Sequence, residues 1–135
     1  MFDTKIAIVV RQDLAVWQKL NVTAFLTSGV LGENPGLLGE PYEDASSNLY
    51  SPLLIQPMIV LSAAPDLIKT FYRRALERNV RLALYIEDMF KTGYDAANRA
   101  AVKRYRPDEL NVVGLALRED NKTVEKITKG AKLHD

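Results

Sequence analysis

The side chains best equipped for chemistry fall in two short polar segments, each placed directly after an apolar run. Arg11, Gln12 and Asp13 follow Ile6 to Val10; Glu87 and Asp88 follow the alternating Val80, Leu82, Leu84 and Ile86, with Lys91 and Thr92 a few residues on. Brought together, Asp13, Glu87 and Asp88 with Arg11 and Lys91 could do acid/base work, because adjacent like charges raise one carboxyl pKa while a nearby cation lowers another. The plainer alternative is that Asp13 opens a helix and that Glu87 and Asp88 are solvated loop charges. Three carboxylates could also hold a hard cation such as Mg2+, but no spacing resembles an EF-hand, and neither a metal nor a cofactor is expected. Composition removes other chemistries. There is no cysteine, and the one histidine, His134, stands second from the end, where a frayed tail is expected. Disulfides, Cys-rich zinc sites, thiol nucleophiles and the usual serine hydrolase triad therefore lack their residues. Thr23, Thr27 and Ser28 make a hydroxyl-bearing helix face with no histidine to activate it.

The elements that must position these groups can be traced along the chain. Ile6 to Val10 is an uninterrupted, β-branched apolar run, as in a strand buried on both faces. Trp17, Leu20, Ala24 and Leu31 then recur at helical spacing, widened by Val16 and Phe25, which predicts a helix of about four turns ending near Gly32. On this reading Trp17 belongs to the core. Asn21 is disfavoured inside a helix by propensity and so marks a tertiary hydrogen bond or a ligand contact. Tyr42 to Tyr50, with turn-forming residues at its centre, suits a small hairpin.

Met58 to Leu61 reads as a second core strand, and Pro65 with Asp66 opens a helix whose apolar rows are Leu67, Phe71, Ala75 and Ile68, Tyr72, Leu76. Asn79 stops it. Val80 to Ile86 is a third strand, Asp95 to Tyr105 a helix ending before Pro107, and Leu110 to Leu117 a fourth strand. Asn121 as N-cap and Gly130 as the C′ residue bracket a last short helix. Strand and helix thus alternate, which predicts one α/β domain over residues 1–135: a three-layer α/β/α sandwich around a mixed, mostly parallel four-stranded sheet. In such sheets ligands sit beyond the carboxyl ends of the strands, where both polar segments fall.

At 135 residues, 47% of them hydrophobic, the chain can bury roughly two-thirds of its unfolded surface. The net charge of +1 hides an uneven distribution: residues 61–106 carry 10 basic and 5 acidic side chains. Arg73, Arg74, Arg78 and Arg81, with Lys103, Arg104 and Arg106 around Tyr105, could meet phosphate; solvated outer helix faces are the simpler explanation. The balance falls short of a dedicated nucleic-acid binder. No Gly-rich phosphate loop follows a strand. Asp3 near the start and the short run Ile6 to Val10 fit neither a signal peptide nor a membrane span, so a cytoplasmic location with no membrane contact is expected.

Several segments resemble the type II peptidyl-tRNA hydrolases. Lys5 to Leu14, KIAIVVRQDL, is similar to that family's opening strand ending in Arg-x-Asp-Leu. Gln56 to Ala64 is similar to its second strand, Ile86-Glu87-Asp88 to its Ile-Gln-Asp turn, and Val113 to Leu117 with Val124 to Leu133 to its final strand and helix. The resemblance spans most of the chain apart from 33–53 and 93–108. Trp17 to Asn21 and Asp88 to Thr92 look more like an uncharacterised bacterial family sharing that fold.

The resemblance implies the hydrolase II-like fold and carries over Asp13, Lys19, Asp88 and Thr92 as candidate catalytic residues, with Arg11, Asn21, Glu87 and Lys91 as candidate ligand contacts. Asp88 would position water or polarise the ester, Lys19 or Lys91 would steady negative charge, and Thr92 would donate a hydrogen bond. The hydrolases open their first helix with Gly-Lys-Gly-Lys and continue Ala-Ala-Gln-Cys-x-His; here Gln18 to Asn21 and Thr23 to Ser28 stand instead. The expectation is a small-molecule ligand other than peptidyl-tRNA. Peptidyl-tRNA hydrolysis on a tRNA-like substrate and a non-catalytic RNA-binding or assembly module are the alternatives. The resemblance also implies a homodimer.

Overall fold

A computed structural model of the chain describes residues 2–135. In chain order the elements are β1 (Thr4–Arg11), α1 (Val16–Glu33), β2 (Tyr42–Glu43), β3 (Leu49–Tyr50), β4 (Met58–Ala63), α2 (Pro65–Glu77), β5 (Ala83–Ile86), α3 (Asp95–Lys103), β6 (Val112–Asp120), α4 (Asn121–Ile127) and β7 (Lys132–Leu133). The main sheet has five strands in the order β5-β6-β1-β4-β7. Among the described residues only β1 and β4 pair in parallel; β1–β6, β5–β6 and β4–β7 are antiparallel. The expectation of a mostly parallel, four-stranded sheet is thereby corrected. A strand buried on both faces shows the same apolar run whichever way its neighbour points, so hydrophobicity carries no directional signal.

Helices cover both faces. Val22, Leu26 and Val30 of α1 pack on Ile6, Ile8 and Val10, while Ile68, Phe71 and Ala75 of α2, Ala101 of α3, and Val124 and Ile127 of α4 pack on Ala7, Val9 and Leu115. β1 therefore alternates between two cores, which is why its run is unbroken.

Local chemistry accounts for the helix ends. Gln18 accepts the Ala15 N–H at 3.0 Å at the start of α1, and the Asn34 N–H and side-chain amide both reach Val30 O at its end. Asn79 adopts a left-handed φ of 55°. There the Asn79 N–H bonds Leu76 O and the Val80 N–H bonds Ala75 O, a Schellman closure of α2. Asp120, rather than Asn121, caps α4 by accepting from Thr123 N at 2.9 Å. Gly130, at φ 105°, lies one residue beyond the C′ position. The third strand starts at Ala83 instead of Val80, because the α2 closure uses Val80. His134 is not on a frayed tail: β7 pairs with β4, and the His134 N–H bonds Val60 O at 3.0 Å.

The hairpin predicted over Tyr42 to Tyr50 is present as β2 and β3. Its turn is organised by Asp44, whose carboxylate accepts from Ser46 N, Asn48 N and the Tyr50 hydroxyl. These bonds, led by that from Tyr50, lower its pKa from 3.8 to about 2. A depressed carboxyl pKa contributes order that is fully present above 3.8 and is lost as pH falls through about 2. Proton-detected titration should give Asp44 a midpoint near 2, moving toward 3.8 in Tyr50→Phe. Among the described residues no helix is long and apolar enough to cross a membrane.

Candidate functional site

Because β6 runs antiparallel to both β1 and β5, the carboxyl ends of β1, β4 and β5 lie on one edge of the sheet, joined there by the start of β6. β1 and β5 are not neighbours. The residue that links their ends is Asn111, just before β6. Arg11 donates to Asp13 at 2.7 Å and to Asn111 Oδ1 at 3.0 Å, and its other terminal nitrogen lies 3.6 Å from Glu87. The Asn111 amide donates to Glu87 in turn, and the Glu87 N–H bonds Asn111 O at 2.9 Å. Arg11, Asp13 and Glu87 thus converge as expected, but as ion pairs that satisfy one another. Only 12% of the Arg11 side chain is exposed. Asn111→Ala removes the shared partner of two charged groups, and a loss of about 1–2 kcal/mol in urea unfolding is expected.

Asp88 turns elsewhere. It accepts from the Tyr105 hydroxyl at 2.6 Å and pairs with Arg104 at 3.3 Å, fastening the end of α3 to the turn after β5. The hydrogen bond to Asp88, then burial, raises the Tyr105 pKa. The expected convergence of Asp88 with Asp13 is therefore not made. The Thr92 hydroxyl lies within hydrogen-bonding reach of both Met89 O and the Asn98 side chain. Lys19 and Lys91 form no ion pair among the described residues. Thr23, Thr27 and Ser28 each donate to a carbonyl of their own helix, so that hydroxyl face is spent on backbone bonding. Among the described residues no group of three or more Asp, Glu, His or Cys is placed to hold a metal ion.

Beside this polar cluster lies a cavity of about 730 Å³ between α1, β5 and α3. Its volume falls within the range typical of small-molecule sites. Trp17, Asn21 and Phe25 of α1 line it from one side, and Asn98, Val102 and Lys103 of α3 from another. Tyr85 of β5 and Phe90 of the following turn complete an aromatic chain. Ring centroids are 5.9 Å apart for Phe25–Tyr85, 5.2 Å for Tyr85–Phe90 and 6.0 Å for Trp17–Phe90, the last pair edge-on. Burial raises the Tyr85 pKa, partly offset by the neighbouring Asn21 side chain.

Of the sequence-predicted residues, Asn21 and Thr92 line this cavity; Arg11, Asp13, Lys19, Glu87, Asp88 and Lys91 do not. Trp17 is not in the core: it is 62% exposed, and Leu20, Phe25 and Val16 are exposed with it. Gly29 explains the shift of the buried stripe to Val22, Leu26 and Val30. A Cβ there would stand 2.7 Å from the Cβ of Ala83, so glycine lets α1 lie close against β5. Sequence reading missed Asn111, Tyr85, Phe90 and Asn98. An asparagine directly before an apolar strand was the one available signal for Asn111; the aromatic chain joins residues far apart in sequence and left none.

The fold is shared with a solved structure. The chain is similar to a solved structure of a protein of unknown function, Atu0240, from Agrobacterium tumefaciens strain C58, with 55% identity, a TM-score of 0.98 and full coverage of both chains. No curated protein matches it. A family model described as "Protein of unknown function (DUF2000)" matches residues 4–135, and the chain belongs to that family.

Proposed function

We propose that this protein binds an organic ligand with a planar, apolar body in the cavity at the carboxyl end of β5, and that peptidyl-tRNA is not its substrate. The observation that carries this reading is the open aromatic surface. Trp17 is 62% exposed yet stacked edge-on against Phe90, continuous with Tyr85 and Phe25. Apolar surface left in water forgoes about 25 cal/mol per Å², which a planar ligand seated there would recover. Asn21 and the Thr92–Asn98 pair supply the few polar groups that orient a ligand in a mostly apolar site.

The kinship of fold with type II peptidyl-tRNA hydrolases belongs to the same proposal, supported by the element order and the three layers. The chemistry of that family is disfavoured, because the Asp88 carboxylate is already engaged by Tyr105 and Arg104.

Trp17 is the only tryptophan, so its emission reports the cavity directly. Titration with 1-anilinonaphthalene-8-sulfonate should give saturable 1:1 binding with energy transfer from Trp17. Phe90→Ala should weaken it about tenfold, equivalent to about 1.4 kcal/mol. Unchanged Trp17 emission would overturn the reading, as would robust turnover of peptidyl-tRNA that disappears in Asp88→Asn.

A further inference from the structure

Resting on the cavity reading above, we infer that the planar, apolar body is an aromatic side chain of an extended peptide segment, which pairs with the outer edge of β5 and carries a negatively charged end. β5 is the terminal strand of the sheet, bonded to β6 on one side only. Which of its backbone groups face outward follows from two hydrogen bonds. The Glu87 N–H points back to the β6 side, to Asn111 O. The Ile86 N–H points away, to Met89 Sδ at 3.5 Å. The pairing register slips by one residue between Tyr85 and Ile86, but the extra residue is Val113 of β6, so β5 keeps its alternation and the N–H and C=O of Leu84 share the outward direction of Ile86.

The cavity lies on that edge. Its lining takes Ala83 and Tyr85, which face α1, together with Leu84, which packs toward the core on the opposite face. Lining from both faces of one strand means that the open space runs along the strand's edge, with α1 above and α3 below. An extended chain entering there would meet the Leu84 donor and acceptor with its own backbone. Its alternate side chains would fall against Phe25 and Tyr85 on one side and Val102 on the other. A rigid planar compound could use the rings but would leave the edge unpaired, and an unpaired strand edge is the feature that strand addition satisfies.

Charge sets the end group. Of the ionised side chains lining the cavity, Asp95 and Arg99 pair with each other, whereas Lys103 forms no ion pair among the described residues. The site therefore presents one uncompensated positive charge, which a peptide carboxylate complements.

The test uses the intact protein saturated with 1-anilinonaphthalene-8-sulfonate and pools of N-acetylated hexapeptides. The peptides carry Phe, Tyr, Leu, Val or Ile at alternate positions, Ser or Thr between, and a free carboxylate. At least one pool should displace the dye, and its best member should slow hydrogen exchange at Leu84 at least tenfold. N-methylation of alternate amides in that member should abolish competition in one register and spare it in the other, since only every second N–H of an added strand faces its neighbour. Amidation of the carboxylate should weaken competition about threefold, the scale of an exposed ion pair; equal competition would overturn the charged end.

Dye binding without displacement by any pool would overturn the peptide assignment while leaving the cavity reading intact. Competition equally tolerant of N-methylation in both registers would overturn strand addition. Failure of the dye itself to bind would remove the cavity reading and this inference together.

Discussion

Ser28→Phe is expected to weaken dye binding more than about 100-fold, close to 2.7 kcal/mol, with little change in stability. Ser28 lines the cavity from α1, at an exposed position, and its hydroxyl donates to Phe25 O one turn back. A phenyl ring at this site has no core neighbour to displace and one open volume to enter. Serine and phenylalanine have similar helix propensities, so α1 should form as before. Unfolding free energy should therefore stay within about 0.5 kcal/mol of the parent, as for other surface substitutions. The separation of the two effects is the diagnostic result. A variant that loses both binding and stability reports on folding, whereas one that keeps both shows that the ligand lies elsewhere.

Gly114→Ala is expected to cost about 2–3 kcal/mol, the upper part of the range for overpacking a core. Gly114 sits in β6 beneath α1, and a Cβ there would stand 2.4 Å from Val22 Cγ1 and 3.0 Å from Leu26 Cδ1. Both neighbours are essentially fully buried, so neither can swing into solvent. α1 must lift, and with it the wall of the cavity. The cause can be checked by a double-mutant cycle. Val22→Ala removes the clashing methyl, so the pair should be less destabilised than the sum of the single changes by at least about 1 kcal/mol. Additive losses in urea unfolding would place the strain elsewhere.

How far the sequence discloses this protein depends on whether the deciding interaction is local. The strand at Ile6 to Val10, the proline-led start of α2 and its stop at Asn79 follow from residues within a few positions of one another, and all three are present. The hairpin is equally local, held by Asp44. The buried face of α1 is not. Two apolar stripes run along this helix, and periodicity favours Trp17 and Leu20 as readily as Val22 and Leu26. The choice is made by glycines on its own face and on β6, more than eighty residues away. β7 leaves no local signal because its two residues, Lys132 and Leu133, gain their strand character by pairing with β4.

The candidate site shows the same division. Arg11, Asp13 and Glu87 were legible because polar residues at strand ends announce themselves, and they do converge. Their joining through Asn111 required the placement of β6 between β1 and β5, which no spacing encodes. The direction of Asp88 was set by α3, which brings Tyr105 and Arg104 to it. The absence of cysteine and of any histidine but His134 in the sequence pointed away from nucleophilic chemistry; the geometry adds that the hydroxyls of α1 are bonded to their own backbone. What remains open to a ligand is an aromatic surface assembled from three separate segments.

The central claim is that ligands enter the cavity between α1, β5 and α3. It is tested most directly by following every backbone amide in a heteronuclear NMR titration with 1-anilinonaphthalene-8-sulfonate. Saturating shifts confined to residues 17–29, 83–94 and 95–103 are the predicted result. Shifts centred instead on the exposed apolar residues Leu38, Leu49, Leu53 and Ile55, with residues 17–29 and 83–94 unmoved, would contradict it.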